Sequence, residues 1–534
     1  MFRVVLLSAI CGMSVAAASA QGICPDRPLP AGEPITYPVD LYSQNGVLNV
    51  DMAMKNDVDG SGFSRYCYVY IYQGQPIEAP TLRLNPGDTL NLNLTNNLTD
   101  MDGAKAKHPA LHQMHMAQNN GPADDCSGAN PVLETSTNVH FHGLNVPPVC
   151  HQDDVLKTII ESGDPAFHYS IQIPANEPPG LYWYHPHIHG LTTQQVTGGA
   201  SGALIVEGTN PLTQGLNERV FILREQDKTG PARDPDANVQ LTMNFQPALF
   251  PEGGLAGTVT VQPGAREYWR FLNATSKQFV ALQLTYGGTP QQFEILAIDG
   301  VQLSTPIHTD TLNIPPAGRM EFIVPGLPAG QTGTFLTLGY DTGAVGDANN
   351  PQVLFKMNTG TQQQQTPVLQ AQHVIKPPTQ PVRFSGLATQ TPNITRRLYF
   401  SEQNIGTNGG TQFYLTLLGQ APKVFHRDDP PSIVTQVGNV EDWTVENRSG
   451  EVHAFHIHQI HFLVEAIDGQ QVPDPEMQDT VILPSWTGTG PYPSVTLRMD
   501  FRDPNIAGTF VYHCHILDHE DGGMMAKIQV NPAN

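Results

Sequence analysis

The stretch GTFVYHCHILDHEDGGM, residues 508–524, decides how this chain is to be read. It opens on a glycine followed by β-branched and aromatic residues, the composition of a strand. It ends with His513 and His515 on either side of Cys514, and His519 and Met524 follow within ten residues of the cysteine. Successive side chains of a strand point to opposite faces, so His513 and His515 share one face and Cys514 takes the other. Two separate groups of ligands can therefore meet at this one point in the chain.

The same opening recurs upstream, as GLYWYHPHI at 180–188 and as GTFLTL at 333–338, but only the first of these carries an HxH pair. A second element recurs as well: Pro86-Gly87-Asp88 opens a run ending at Asn96, Pro263-Gly264 one ending at Asn273, and Val437-Gly438 one ending at Asn447. The three glycines lie 177 and 174 residues apart, and each precedes its asparagine by nine. One unit thus occurs three times. With 49 glycines, 46 prolines and short alternating runs such as TLNLNLT at 89–95, the unit is expected to be a Greek-key β-sandwich or barrel, and the whole chain all-β.

Boundaries follow from composition. Residues 1–20 read as a secretory signal, with Arg3 ahead of an apolar stretch and Ala18-Ser19-Ala20 as a cleavage site. Domain one is then expected over 21–210, domain two over 211–358, a Gln/Pro-rich linker over 359–382 and domain three over 383–534. The mature protein is expected to be exported, periplasmic or secreted, and monomeric. No later stretch has the run of about 18 apolar residues that a membrane helix needs. A net charge of −22 disfavours nucleic acid and anionic membranes as partners. Cys11 leaves with the signal, so Cys24, Cys67, Cys126 and Cys150 remain for two disulfides, with three connectivities open.

Four histidine clusters carry the chemistry: His140-Phe-His142, His185-Pro-His187, His453-Ala-Phe-His456-Ile-His458, and His513-Cys514-His515 with His519. An isolated HxH is as well explained by zinc or by a solvated surface; four matched pairs are not. Eight imidazoles can hold three metal ions, two with three ligands and one with two, leaving coordination positions open for a reactant. Cys514 on the opposite face can combine with His453, His519 and the thioether of Met524, and a His₂Cys site with a weak axial Met describes blue copper. Zinc needs no such thioether and has no redox chemistry. His189 and His461 lie just beyond the pairs, as neighbours of the ligands or as exposed residues. The segment from His108 to Met116 is rich in His and Met, fit either to bind a further cuprous ion or to pack its methionines in a loop.

Together HFHG, WYHPHIHG, HAFHIH and HCHILDHEDGGM resemble the four copper motifs of the three-domain multicopper oxidases, a group that includes laccases, bilirubin oxidases and bacterial metallo-oxidases. The resemblance spans essentially the whole mature chain. It implies three cupredoxin-like domains and four copper ions: a type 1 copper on His453, Cys514, His519 and axial Met524, and a type 2 copper on His140 and His456. Two type 3 coppers would take His142, His185 and His515, and His187, His458 and His513. It also implies proton delivery by Glu520 and by Asp153 or Asp154; two extra residues after HFHG leave open which aspartate aligns.

The activity so implied takes electrons singly from a small reducing substrate near His453 or His519 and passes four to dioxygen, making water. An axial Met implies a low or middle reduction potential. Phenols and aromatic amines are the expected donors, because the 14 methionines form no run in domain three of the kind that cuprous oxidases of the family often carry. Oxidation of Cu(I), Fe(II) or Mn(II) is the alternative, and copper binding without turnover a third reading.

Overall fold

The computed structural model describes residues 24–533 apart from 28–31, 59–63, 101–125, 127, 129–130, 228–238, 250–254, 361–374 and 406–409. The expected signal 1–20, the His/Met segment 108–116 and most of the expected linker lie outside the described residues.

Among the described residues strands dominate, and they form six sheets that face one another in three pairs. Each pair closes on its own core, around Tyr68, Leu92 and Ile171 in the first, Trp269, Phe271 and Phe335 in the second, and Trp443, Phe455 and Tyr512 in the third. Alternation does this work: in Thr89–Asn96 every second residue, Leu90, Leu92 and Leu94, is buried. Each leucine so buried contributes about 2 kcal/mol. No helix among the described residues is long and apolar enough to cross a membrane.

The three units repeat in register as well as in sequence. The strand ending in the recurrent asparagine pairs in parallel with an earlier one each time: Thr89–Asn96 with Val47–Val58, Glu267–Asn273 with Asn217–Asp227, and Asn439–Asn447 with Ile394–Asn404. Gly180–His185, Thr332–Thr337 and Gly508–Cys514 each pair antiparallel with the strand that follows. On their other side lie His140–His142, Val280–Tyr286 and His453–Ile457. Where the outer units carry histidines, the middle unit thus presents Val280, Leu282 and Leu284, all buried in its core.

The recurrent asparagine has a physical role. Asn96, Asn273 and Asn447 are fully buried, and each Oδ1 accepts the backbone N–H two residues on, from Leu98, Thr275 and Ser449. Each Nδ2 donates to carbonyls of a neighbouring loop: Thr135 and Ile160, then Gln278, Ile314 and Pro315, then Glu451, Leu483 and Pro484. Only an amide supplies acceptor and donors together at that distance.

Two departures from the sequence reading concern the ends of the units. Ile35 sits in the core of the middle unit and hydrogen-bonds to Thr258, so the segment before the first strands is shared between units one and two. Beyond the undescribed stretch, the backbone N–H groups of Thr379 and Arg383 donate to Ala175 and Asn176, so the end of the expected linker is laid along unit one. The disulfides are Cys24–Cys67 and Cys126–Cys150, and Cys514 is free.

Replacing Asn273 by Ala strips the Gln278, Ile314 and Pro315 carbonyls of their donor. A loss of about 3 kcal/mol is expected, read as a lowered thermal midpoint; an unchanged midpoint would remove the asparagine from its structural role.

Candidate metal centre

Strand Gly508–Cys514 lies between His453–Ile457 and Met525–Asn531, with Cys514 opposite Phe455 and His513 opposite His456. The Cys514 Sγ comes 3.5 Å from His453 Nδ1, and His519 Nδ1 is 3.3 Å from the same atom. His519 reaches this place because the chain turns directly into the short helix Leu517–Asp521. Met524 is fully buried beside them, its N–H donating to the His519 carbonyl and its carbonyl accepting from the Cys514 N–H. Burial pushes the Cys514 thiol above its ordinary value.

The other face of the strand end meets the histidines of unit one. Ligand atoms of His187, His458 and His513 lie within 4.8 Å of one another, as do those of His140, His142 and His185, and of His140, His456 and His458. Rings stack across the boundary between units, His140 on His458 at 3.8 Å and His142 on His456 at 3.9 Å. His515 completes the group, 5.1 Å from the ring of His142. All eight imidazoles are buried.

Only His140–His142 lies wholly within a strand; His187, His458 and His515 each fall just past a strand end. The pairs nonetheless stay side by side, with ring centroids between 5.2 and 5.9 Å apart.

The fit to a metal is carried by nitrogens without protein partners. The outer nitrogens are tied down: His140 Nδ1 to Asp153 at 3.0 Å, His185 Nδ1 to the Pro186 carbonyl, His456 Nδ1 to the Asp479 carbonyl and His513 Nδ1 to the Cys514 carbonyl. The inner nitrogens His140 Nε2, His142 Nδ1, His185 Nε2, His456 Nε2 and both of His515 have none. So many unpaired polar atoms in one dry space are costly unless a cation takes them. Burial, and for most of them the neighbouring imidazoles, hold the rings below the ordinary histidine value, His185 at about 3 and His513 at about 4. They are therefore neutral, the form that binds metal.

The carboxylates separate cleanly. Asp153 accepts from His140 and from the Phe141 N–H and the Gln459 side chain, and burial pushes its carboxyl up to about 8. Asp154 faces away and caps the turn at Lys157, so of the two aspartates only Asp153 reaches a histidine. Glu520 is fully buried, 3.6 Å from both His187 Nδ1 and His513 Nδ1, and burial raises its carboxyl well above the usual range. Next to it, Asp521 accepts from the backbone of Gly190, Thr192 and Thr193 and from the Thr193 hydroxyl, joining unit three to the start of helix Thr192–Thr197 in unit one.

Around the two groups stand Trp183 and His189 of WYHPHIHG, His461, and Phe413, Ser449, Glu402 and Glu451, which carry no motif. Trp183 stacks on His185 at 4.0 Å, and Phe413 on His519 at 4.0 Å. At His453 Nε2 the Ser449 hydroxyl stands 2.8 Å away and Glu402 3.1 Å, while Glu451 stands 3.5 Å from His519 Nε2. Burial, then the charges of Glu402, Asp518 and Asp347, push the Glu451 carboxyl up to about 9. His461 donates to the Asp299 carbonyl at 2.8 Å, and His189 sits edge-on to Phe425.

Three family models described as multicopper oxidase match the chain, over residues 128–211, 182–361 and 395–534. The chain belongs to the multicopper oxidase family. A multicopper oxidase of Staphylococcus haemolyticus is 25% identical, over 84% of this chain and 81% of its own length. A laccase of Haloferax volcanii is 27% identical over 75% and 69%. Among solved structures, the multicopper oxidase of Campylobacter jejuni, titled a metallo-oxidase, superposes with a TM-score of 0.68 at 21% identity, over 94% of this chain and 96% of that one. The paired sheets are cupredoxin-like domains, and the chain is a copper-dependent oxidoreductase that uses dioxygen.

Asp521 staples the two units between which the eight imidazoles lie. Asp521→Ala is expected to cost about 1–2 kcal/mol, seen as a lower melting midpoint, with Asp521→Asn between it and the parent; equal midpoints for all three would discount the staple.

Proposed function

We propose that this multicopper oxidase takes electrons one at a time from phenols or aromatic amines at a type 1 copper, and uses four of them to reduce dioxygen to water at a trinuclear cluster. The observation that carries it is one strand end, His513-Cys514-His515, whose cysteine belongs to one buried ligand group and whose histidines belong to the other. When bound, copper supplies one-electron acceptance at the first group and storage of several electrons beside dioxygen at the second. The ligands of the type 1 site are His453, Cys514, His519 and Met524. Those of the type 2 site are His140 and His456, and the type 3 pair is held by His142, His185 and His515 and by His187, His458 and His513. Export to the periplasm or the exterior is part of the same reading, from the signal-like residues 1–20.

The chain's own groups divide the remaining tasks. The bonds of Cys514 and the backbone to His513 and His515 connect the two sites. Glu520 and Asp153 stand at outer nitrogens of the imidazoles, and burial raises both carboxyls above the usual range, which suits them to take up and pass on protons for the oxygen chemistry. His453 is closed in by Ser449 and Glu402, so donors are oxidised at the edge of His519, beneath the ring of Phe413. A carboxylate there accepts the proton that a phenol or amine releases as it loses an electron.

The same acids favour a second reading, oxidation of Cu(I), Fe(II) or Mn(II), because the negative charge of Glu402, Asp518 and Asp347 that holds the proton on Glu451 also attracts cations, which can displace that proton.

Oxygen uptake by the copper-loaded protein with a methoxyphenol, first without and then with added Cu(II), decides the matter, with Cys514→Ser as the blank. Rapid uptake without added copper, absent in the blank, is expected; uptake only with added copper favours the metal-ion reading, and none with any donor rejects the oxidase. Because Fe(II) bound here displaces the proton of Glu451, Glu451→Gln is expected to raise KM for Fe(II) about tenfold, the equivalent of 1.4 kcal/mol, and to leave KM for a neutral phenol within about twofold. Equal changes for both donors would take Glu451 out of cation recognition.

A further inference from the structure

The middle unit gives no histidine to the cluster, yet two of its residues come to lie directly behind it. Arg319, fully buried at the start of strand Arg319–Val324, extends a forked pair of hydrogen bonds to Asp479 of unit three, at 2.7 and 2.6 Å. The same guanidinium donates to the Leu181 carbonyl of unit one at 3.2 Å and to the Asp299 carbonyl of its own unit at 3.0 Å. One side chain therefore touches all three units.

Asp299 completes the arrangement. Its carboxylate accepts the Arg319 N–H on one oxygen and the N–H groups of Asp479 and Thr480 on the other. Asp479, fixed at both its backbone and its carboxylate, then faces the cluster. Its carbonyl accepts from His456 Nδ1 at 2.8 Å, and its carboxylate lies 3.4 Å from His142 Nε2. These are the outer nitrogens of two imidazoles whose inner nitrogens, His456 Nε2 and His142 Nδ1, have no protein partner. One of those imidazoles comes from unit one and the other from unit three, and they stack at 3.9 Å.

Two glycines show how closely the parts are fitted. A Cβ on Gly143, the glycine of HFHG, would stand 2.5 Å from Arg319 Nη2 and 2.8 Å from Asp479 Oδ2. A Cβ on Gly180, at the start of the strand that carries His185, would stand 2.2 Å from the Gly300 carbonyl oxygen beside Asp299. Side chains at either place would push the middle unit away from the histidine strands.

We propose that the middle domain is a clamp for the copper cluster: Arg319, set by Asp299, holds Asp479, and Asp479 holds His142 and His456 so that their free nitrogens converge across the boundary between domains one and three. Arg319 is a positioning residue, acting through Asp479. The proposal rests on the multicopper reading above. The fork is essential, since a planar guanidinium meets both carboxylate oxygens and two carbonyls at once, which an ammonium cannot.

The test loads parent, Arg319→Gln and Arg319→Lys with copper, strips them against a graded chelator, and follows three readouts: copper per chain, the type 2 electron paramagnetic resonance spectrum and the blue absorption of the Cys514 site. Arg319→Gln is expected to hold cluster copper 10- to 100-fold more weakly, with altered type 2 hyperfine splitting and an unchanged blue band, and Arg319→Lys to recover part of the loss. Asp299→Asn, read in the same way, serves if Arg319→Gln does not fold. Parent-like affinity and spectrum in Arg319→Gln would overturn the clamp alone, as would uniform loss of every copper with a lower melting midpoint. A parent chain that binds fewer than four coppers would overturn the clamp and the reading beneath it together.

Discussion

Buried imidazole nitrogens without partners are what the rest of this molecule is arranged to create and to keep. Each of the eight histidines between domains one and three has been taken out of water, and several of their inner nitrogens meet no protein donor or acceptor. Left so, they oppose folding by a kilocalorie or more apiece, by the order of magnitude of an unmade buried hydrogen bond. The fold bears this cost through three large cores and through outer contacts that fix four of the rings, those of His140, His185, His456 and His513, at Asp153, Pro186, Asp479 and Cys514. Rings fixed from outside have nowhere to rotate, and their lone pairs stay aimed at one small volume.

A single β unit used three times is well suited to that task. The asparagine that closes one strand in every unit, Asn96, Asn273 and Asn447, ties the loops beside it to the strand by the same kind of hydrogen bonds. Histidines occupy corresponding strands in the outer units and aliphatic residues replace them in the middle one. The middle domain is thereby freed from ligation and turned into a wall on which the other two are registered.

Much of this was written in the chain. The Gly-to-Asn spacing of nine and the recurrent Gly-Thr-Phe openings located the repeating strands, because strand and turn chemistry is local. The histidine pairs and Cys514 marked the side chains that gather in two buried groups, and for His140 and His142 the alternation of a strand is the reason. What sequence did not disclose is long-range. Nothing in the motif HFHG told Asp153 from Asp154; the distinction appears only when the turn after it folds and Asp154 is drawn to Lys157. Arg319, Asp299 and Asp479 lie on separate loops and strands with no shared pattern, and Glu402 and Glu451 come together only when domain three closes. Their roles come from packing between units, for which a one-dimensional pattern has no signal.

The distance along the chain between partners has a consequence for biosynthesis. His187 and His513 face each other at 3.3 Å although 326 residues separate them. Domain one, made first and able to collapse on its own core, carries His140, His142, His185 and His187 as a half-built pocket until synthesis has run past His519. Metal cannot be enclosed during that interval, because the opposing wall does not yet exist. The complete set of eight imidazoles therefore exists only once both ends of the chain have been made and domains one and three have docked.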